Sequence, residues 1–219
     1  MAEFTERITA VCPYCHQDNS TYVHPVVSSQ NNPKLSKQIV DDIFFNRKCK
    51  HCGAKYCLDF STLYRNDEYR KTICYAHSIN DYVEFATSIE ETRAMYESAG
   101  LFCDVRIVRD RNDLREKTRI ISKGLDDRVI EILKVWGIEH LRKDGYNKKI
   151  EKALSWVNDD ETIEFAFYGE DDEICCLSIT MNKYYEIETL LSKELRQSKY
   201  NQTKIDLDWA IDFVAENDY

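Results

Sequence analysis

The sequence predicts an α+β protein: a zinc ribbon of short antiparallel strands joined to an α+β body, with a central buried helix and a C-terminal antiparallel meander plus helices. Three observations lead there. Two C-x-x-C turns, Cys12-Pro13-Tyr14-Cys15 and Cys49-Lys50-His51-Cys52, stand 33 residues apart beside strand-like residues. The stretch after Asp126 is apolar almost all round (Val129, Ile130, Ile132, Leu133, Val135, Trp136, Ile138, Leu141), as a helix buried on every side would be. Three strand-like runs, Ile150–Asn158, Thr162–Tyr168 and Ile174–Met181, follow one another between turns. The expected division is a zinc-ribbon region over residues 1–64 and an α+β body with an acidic C-terminal third over 65–219.

The ribbon is read first. Residues 3–11 suit a strand, with Phe4, Ile8 and Ala10 on one face and Thr5, Arg7 and Thr9 on the other. Thr21–Ser28 suits a second, at an edge or bulged, because Pro25 has no N–H for a ladder. Asn31-Asn32-Pro33 turns the chain into a short helix over Lys34–Asp42 with Leu35 and Ile39 inward. Ile43–Lys48 leads into the second knuckle and Ala54–Phe60 leaves it, with Tyr56, Leu58 and Phe60 alternating against Lys55, Cys57 and Asp59.

The body follows. Tyr69–Ala76 reads as a strand. Ser88-Ile89-Glu90-Glu91 has capping-box spacing and predicts a helix from there to Ala99, closed by Gly100. Leu101–Val108 is a strand. Asn112 or Asp113 opens a helix through Lys123, stopped by Gly124, and Asp126 caps the central helix to about Lys143. After the meander, Asn182 is the expected cap of a helix to about Gln197. Asp206 is that of a short last helix with Trp209 and Phe213 inward.

The chemistry of the knuckles points to one structural Zn²⁺ held by Cys12, Cys15, Cys49 and Cys52. Two facing C-x-x-C turns close a tetrahedral site with no open position. Gly53 follows the second pair, where a left-handed backbone is easily adopted, and Pro13 stiffens the first turn. Three rival readings compete with it. Cys-Pro-Tyr-Cys also suits a glutaredoxin-type redox site, but that needs a helix starting at the first cysteine, and Gln17–Val23 is turn and strand. A disulfide framework is disfavoured without a signal peptide. A changed ligand set would draw on His16, His51 or Cys57, which read better as outward knuckle residues and a strand residue.

Composition bounds the rest. Of 219 residues, 43% are hydrophobic, 12% aromatic and 32% charged, with 6 Gly and 3 Pro, a packed rather than disordered chain. No apolar run approaches membrane-spanning length. Met1–Arg7 resembles neither a signal nor a transit peptide, and nine cysteines without one suggest a reducing cytoplasm. The net charge of −9 is uneven: residues 151–219 carry 6 basic and 17 acidic side chains, so the front of the chain is nearly neutral.

The stretches Val11–Cys15, Arg47–Gly53, Arg106-Ile107-Val108 with Leu114–Lys117, and Gly124–Glu131 resemble the CpXC family of bacterial and archaeal proteins, named for its two C-x-x-C knuckles. The likeness covers most of residues 4–145. Lys50 stands where Pro is frequent, and His16 where Gly is usual. The resemblance implies a zinc-binding protein and adds nothing on activity.

Beyond the zinc, Arg111, Arg115, Arg119 and Lys123 recur every four residues and form one helical stripe, a candidate phosphate-binding surface. The plainer reading is a solvated helix with internal ion pairs, or docking against the acidic tail, whose Gly169–Glu173 turn would then shield the stripe. Asp126, Asp127 and Glu131 are explained by helix capping before catalysis, and no catalytic residue is assigned. The favoured function is a protein-interaction module with a protein partner and structural zinc. The alternatives are a nucleic-acid-binding ribbon and, least favoured, an enzyme of unassigned class.

Overall fold

The computed structural model describes residues 4–98, 104–158, 161–170, 173–197, 199, 201–217 and 219. They form two compact units, Met1–Thr118 and Arg119–Tyr219. The break expected after residue 64 falls instead inside a strand that is paired on both sides, where a chain cannot be divided without tearing a ladder.

The first unit opens with a hairpin of β1 (Glu6–Val11) and β2 (Asp18–Val23), antiparallel from Glu6↔Val23 to Val11↔Asp18. The first knuckle is its turn. The strand expected over Thr21–Ser28 breaks at His24-Pro25, because proline cannot donate to a ladder. Beyond it, β3 (Val26–Ser28) joins a different sheet. Helix α1 (Pro33–Val40) carries Pro in its first turn and buries Ile39. The second knuckle is the turn between β4 (Asn46–Lys48) and β5 (Lys55–Cys57). Upstream of β4 the expected strand is absent. Phe44 and Phe45 turn inward instead and meet Phe60 and Tyr75, with ring centroids 5.0–5.4 Å apart.

A four-stranded sheet completes this unit, in the order β3-β6-β7-β8, with β6 (Thr62–Asn66), β7 (Lys71–Tyr75) and β8 (Asp104–Val108). β6 pairs antiparallel with β7, whereas the outer pairs β3–β6 and β7–β8 are parallel. Strand β6 was not anticipated, since Thr62-Leu63-Tyr64-Arg65-Asn66 lacks a clear apolar stripe, yet Thr62, Tyr64 and Asn66 are the buried positions. Parallel β7 and β8 need a long crossover, and α2 (Ile79–Ser98) supplies it. Tyr82, Phe85, Ala86 and Ile89 pack it on Cys74 and Ile107.

Helix α2 starts almost three turns earlier than the Ser88 capping box predicts. The working box is Ser78/Asp81. The Asp81 N–H donates to Ser78 Oγ, and the Ser78 N–H donates back to Asp81 Oδ2, both at 3.1 Å. Ser88 lies mid-helix and exposed. The expected stop at Ala99-Gly100, and the first three residues of the strand expected from Leu101, lie outside the described residues.

Helix α3 (Arg111–Ser122) contains the boundary between the units. In the second unit α4 (Asp127–Lys143) is the buried helix that its composition predicts, with Asp126 Oδ1 accepting the Arg128 N–H at 3.0 Å as its cap. Against it lies the antiparallel meander β11-β10-β9, of β9 (Ile150–Val157), β10 (Thr162–Gly169) and β11 (Ile174–Thr180). The two come so close at Gly137 that a Cβ there would sit 2.5 Å from the Phe167 ring. Helices α5 (Met181–Leu195) and α6 (Leu207–Glu216) close the core with Tyr184, Leu191, Trp209 and Phe213. Thr180, not Asn182, caps α5, while Asp206 caps α6 as expected. No helix among the described residues is long and apolar enough to cross a membrane.

The two candidate caps of α2 behave oppositely on mutation. Ser78→Ala should cost about 1 kcal/mol in chemical denaturation, and Ser88→Ala only a few tenths or nothing. The Ser78 and Ser61 hydroxyls hold the Asp81 carboxyl below its ordinary value. The stabilisation from the ionised cap is therefore complete above the usual carboxylate range and lost as pH falls through the depressed value. The gap between wild type and Ser78→Ala should narrow in acid.

Candidate metal centre

Both knuckles are built alike. In the first, the Cys12 N–H donates to Gln17 O (3.0 Å) and the His16 N–H to Cys12 O (3.0 Å). In the second, the Cys49 N–H donates to Ala54 O (2.9 Å) and the Gly53 N–H to Cys49 O (3.1 Å). The residue after each second cysteine adopts the left-handed backbone: His16 at φ 57° and Gly53 at φ 75°. His16 thus occupies the place where glycine is usual, at the steric cost of its Cβ.

The result is a tight sulfur cluster. The Sγ atoms of Cys12, Cys15, Cys49 and Cys52 all lie within 4.8 Å of one another. Cys12 and Cys52 are 3.8 Å apart and Cys15 and Cys49 3.6 Å. A tetrahedral ion with metal–sulfur bonds of about 2.3 Å separates its ligands by about 3.8 Å, so the group could hold one metal ion. All four are free thiols, with no disulfide among them. Tyr56 packs against Cys12 and Cys49 and shields the cluster.

The other sulfur and nitrogen candidates stand apart from it. His51 Nε2 meets the Asp18 carbonyl at 3.1 Å, and His16 is exposed. Cys57 Sγ lies 2.6 Å from Arg111 Nη1. No helix starts at Cys12, so the dipole a redox site requires is missing.

The electrostatics of the four sulfurs differ. Cys49 is held down to about 5, chiefly by the Cys52 N–H, with the His51 N–H and the Asn19 amide adding and burial opposing. Cys15 accepts the Gln17 N–H, but burial and the three neighbouring sulfurs outweigh it and push the thiol up to about 12.

Asn19 was missed in the sequence. It sits on the inward face of β2 with Thr21 and Val23, 3% exposed. Its Nδ2 reaches Gln17 O at 3.0 Å and Cys49 Sγ at 3.4 Å, and its Oδ1 accepts the Lys50 N–H at 2.9 Å. An amide on the apolar face of a short strand was the available signal, because asparagine is depleted there.

The basic stripe is spread over both units. Arg111 lies 3.4 Å from Asp59 Oδ1, and its guanidinium stands 6.0 Å from the Phe45 ring centroid. Arg115 Nε donates to the Val40 carbonyl at 3.0 Å. Both are thus engaged within the first unit. Arg119, half-buried, and Lys123, exposed, fall in the second. The acidic turn proposed to shield them includes Asp171 and Asp172, which lie outside the described residues, and Glu173 pairs with Lys148 at 2.6 Å. Of the carboxylates after α3, Asp126 pairs with Arg128 at 2.6 Å, and Glu131 with Lys134 at 3.0 Å.

The shared left-handed position makes a test of the knuckle geometry. Gly53→Ala should destabilise the protein by about 1 kcal/mol, while His16→Gly should be neutral or stabilising. Denaturation midpoints of the two variants check this.

No curated protein matches this chain, and no solved structure does. The family model described as CpXC protein matches residues 10–134, from the end of β1 to the middle of α4, and so takes in both knuckles. Over more than half of its length, with all four cysteines in place, the chain belongs to the CpXC family.

Proposed function

We propose that Cys12, Cys15, Cys49 and Cys52 hold a single zinc ion whose role is structural, and that the ribbon it organises is a protein-interaction module. The carrying observation is the closed set of four sulfurs at tetrahedral spacing, contributed by two hairpins. Four thiolates suit zinc, and with all four positions filled none is left for a substrate. Binding would join β1–β2 to β4–β5, so zinc binding and ribbon folding are one equilibrium.

The interaction half of the proposal rests on what the ribbon shows to solvent. Val11 and Tyr22 share the outer face of the first hairpin, and Tyr14 tips its knuckle, 60%, 59% and 67% exposed. Aromatic side chains exposed on a rigid turn suit a protein partner. Nucleic-acid binding by the stripe has less support, since Arg111 and Arg115 are spent on internal contacts.

Purified protein should carry about one zinc per chain, and Cys→Ser at any of the four positions should lose it. Elemental analysis that finds iron, or no metal, would overturn the zinc reading. Partner capture from native lysate should survive nuclease and raised salt and be abolished by Val11→Ser/Tyr14→Ser/Tyr22→Ser. Nuclease-sensitive capture that falls steeply with salt would instead favour phosphate binding.

A further inference from the structure

We infer that Asn19 is a positioning residue of the metal centre: its buried amide pins the second knuckle and makes Cys49 the anchored ligand, leaving Cys52 as the ligand at which the site opens. This rests on the four thiols binding a metal.

The hydrogen bonds around the cluster are unevenly shared. Cys49 Sγ accepts three N–H groups, from Asn19 Nδ2 at 3.4 Å, from His51 at 3.3 Å and from Cys52 at 3.5 Å. Cys15 accepts one, from Gln17. Among the described residues no N–H is found on the Cys52 sulfur, whose neighbour is Cys12 Sγ at 3.8 Å, and Cys52 is the exposed member of the four. Cys12 likewise receives no N–H among the described residues, but it is fully buried.

Each N–H pointed at a thiolate draws charge from sulfur, weakens it as a nucleophile and holds its direction toward the metal. Electrophiles and competing ligands therefore meet the exposed, undecorated sulfur first. Asn19 is central because one side chain does three things. It closes its own hairpin through Gln17, takes the Lys50 N–H of the opposite knuckle, and donates to the ligand sulfur. Only a carboxamide has the donor and the acceptor for this. Aspartate keeps the acceptor for Lys50 and loses the donor to Cys49, whereas leucine loses both.

The test uses the full chain loaded with Zn²⁺ or Co²⁺. N-ethylmaleimide labelling followed by peptide mapping should modify Cys52 first and Cys49 last in the wild type. In Asn19→Leu and Asn19→Asp, labelling of Cys49 should accelerate toward that of Cys52, and metal transfer to a chelator should be about 10–100-fold faster. The sulfur-to-cobalt charge-transfer band should move to longer wavelength, because a thiolate without the N–H is the stronger electron donor. Wild-type protein that binds metal but labels Cys49 first, or all four sulfurs at one rate, overturns the inference and leaves the metal reading intact. So do variants with a lower Tm but an unchanged labelling order and band. A chain that takes up neither metal overturns both, and elemental analysis shows this before any labelling. If Asn19→Leu does not fold, the wild-type order and the Asn19→Asp spectrum still decide.

Discussion

Four sulfur atoms within 4.8 Å are the constraint on which the front of the molecule depends. The strands that carry them are poor structures by themselves. β4 and β5 are three residues each, and β1–β2 is a lone two-stranded hairpin. An isolated hairpin is marginal in water, and three-residue strands less than that. An ion held by the four sulfurs would join them in place of a missing core, as small folds compensate for too little buried surface. Packing continues outward from there. Tyr56 seals the sulfurs, and the chain leaving β5 reaches the aromatic cluster of Phe44, Phe45, Phe60 and Tyr75.

The second unit is held by ordinary burial around α4. That helix turns Ile130, Ile132 and Val129 inward and takes the meander on one side so closely that only glycine is accommodated at position 137. It also buries a charged pair, Glu131 and Lys134, at 3.0 Å and almost without exposure. Such a pair adds little net stability over apolar residues of similar volume. Its carboxylate is thereby committed to structure.

The same reasoning applies to the arginines of α3. Their four-residue spacing looks like a surface for phosphates, yet Arg111 is drawn to Asp59, Cys57 and the face of Phe45, and Arg115 to a backbone carbonyl. A guanidinium with a flat face and several donors satisfies such mixed environments better than an ammonium. Regular charge spacing is therefore ambiguous until the neighbours are known.

The knuckles, the buried helix and the three-stranded meander were legible because each is written locally. A C-x-x-C turn, an all-apolar helical run and caps such as Asp126 and Asp206 depend on residues a few positions apart. Long-range pairing was not legible. β6 is a strand because β3 and β7 flank it, and α2 begins at Ser78/Asp81 because β7 ends there, although Ser88 offers an equally good local box. The sequence by itself determined the four clustered thiols and the left-handed turn at Gly53. Only the tertiary structure decided that Asn19, 30 residues from Cys49, would reach its sulfur, and that half of the basic stripe would be spent internally. The physical reason is range: hydrogen bonds between distant segments depend on strand register and packing, which no short stretch of the chain encodes.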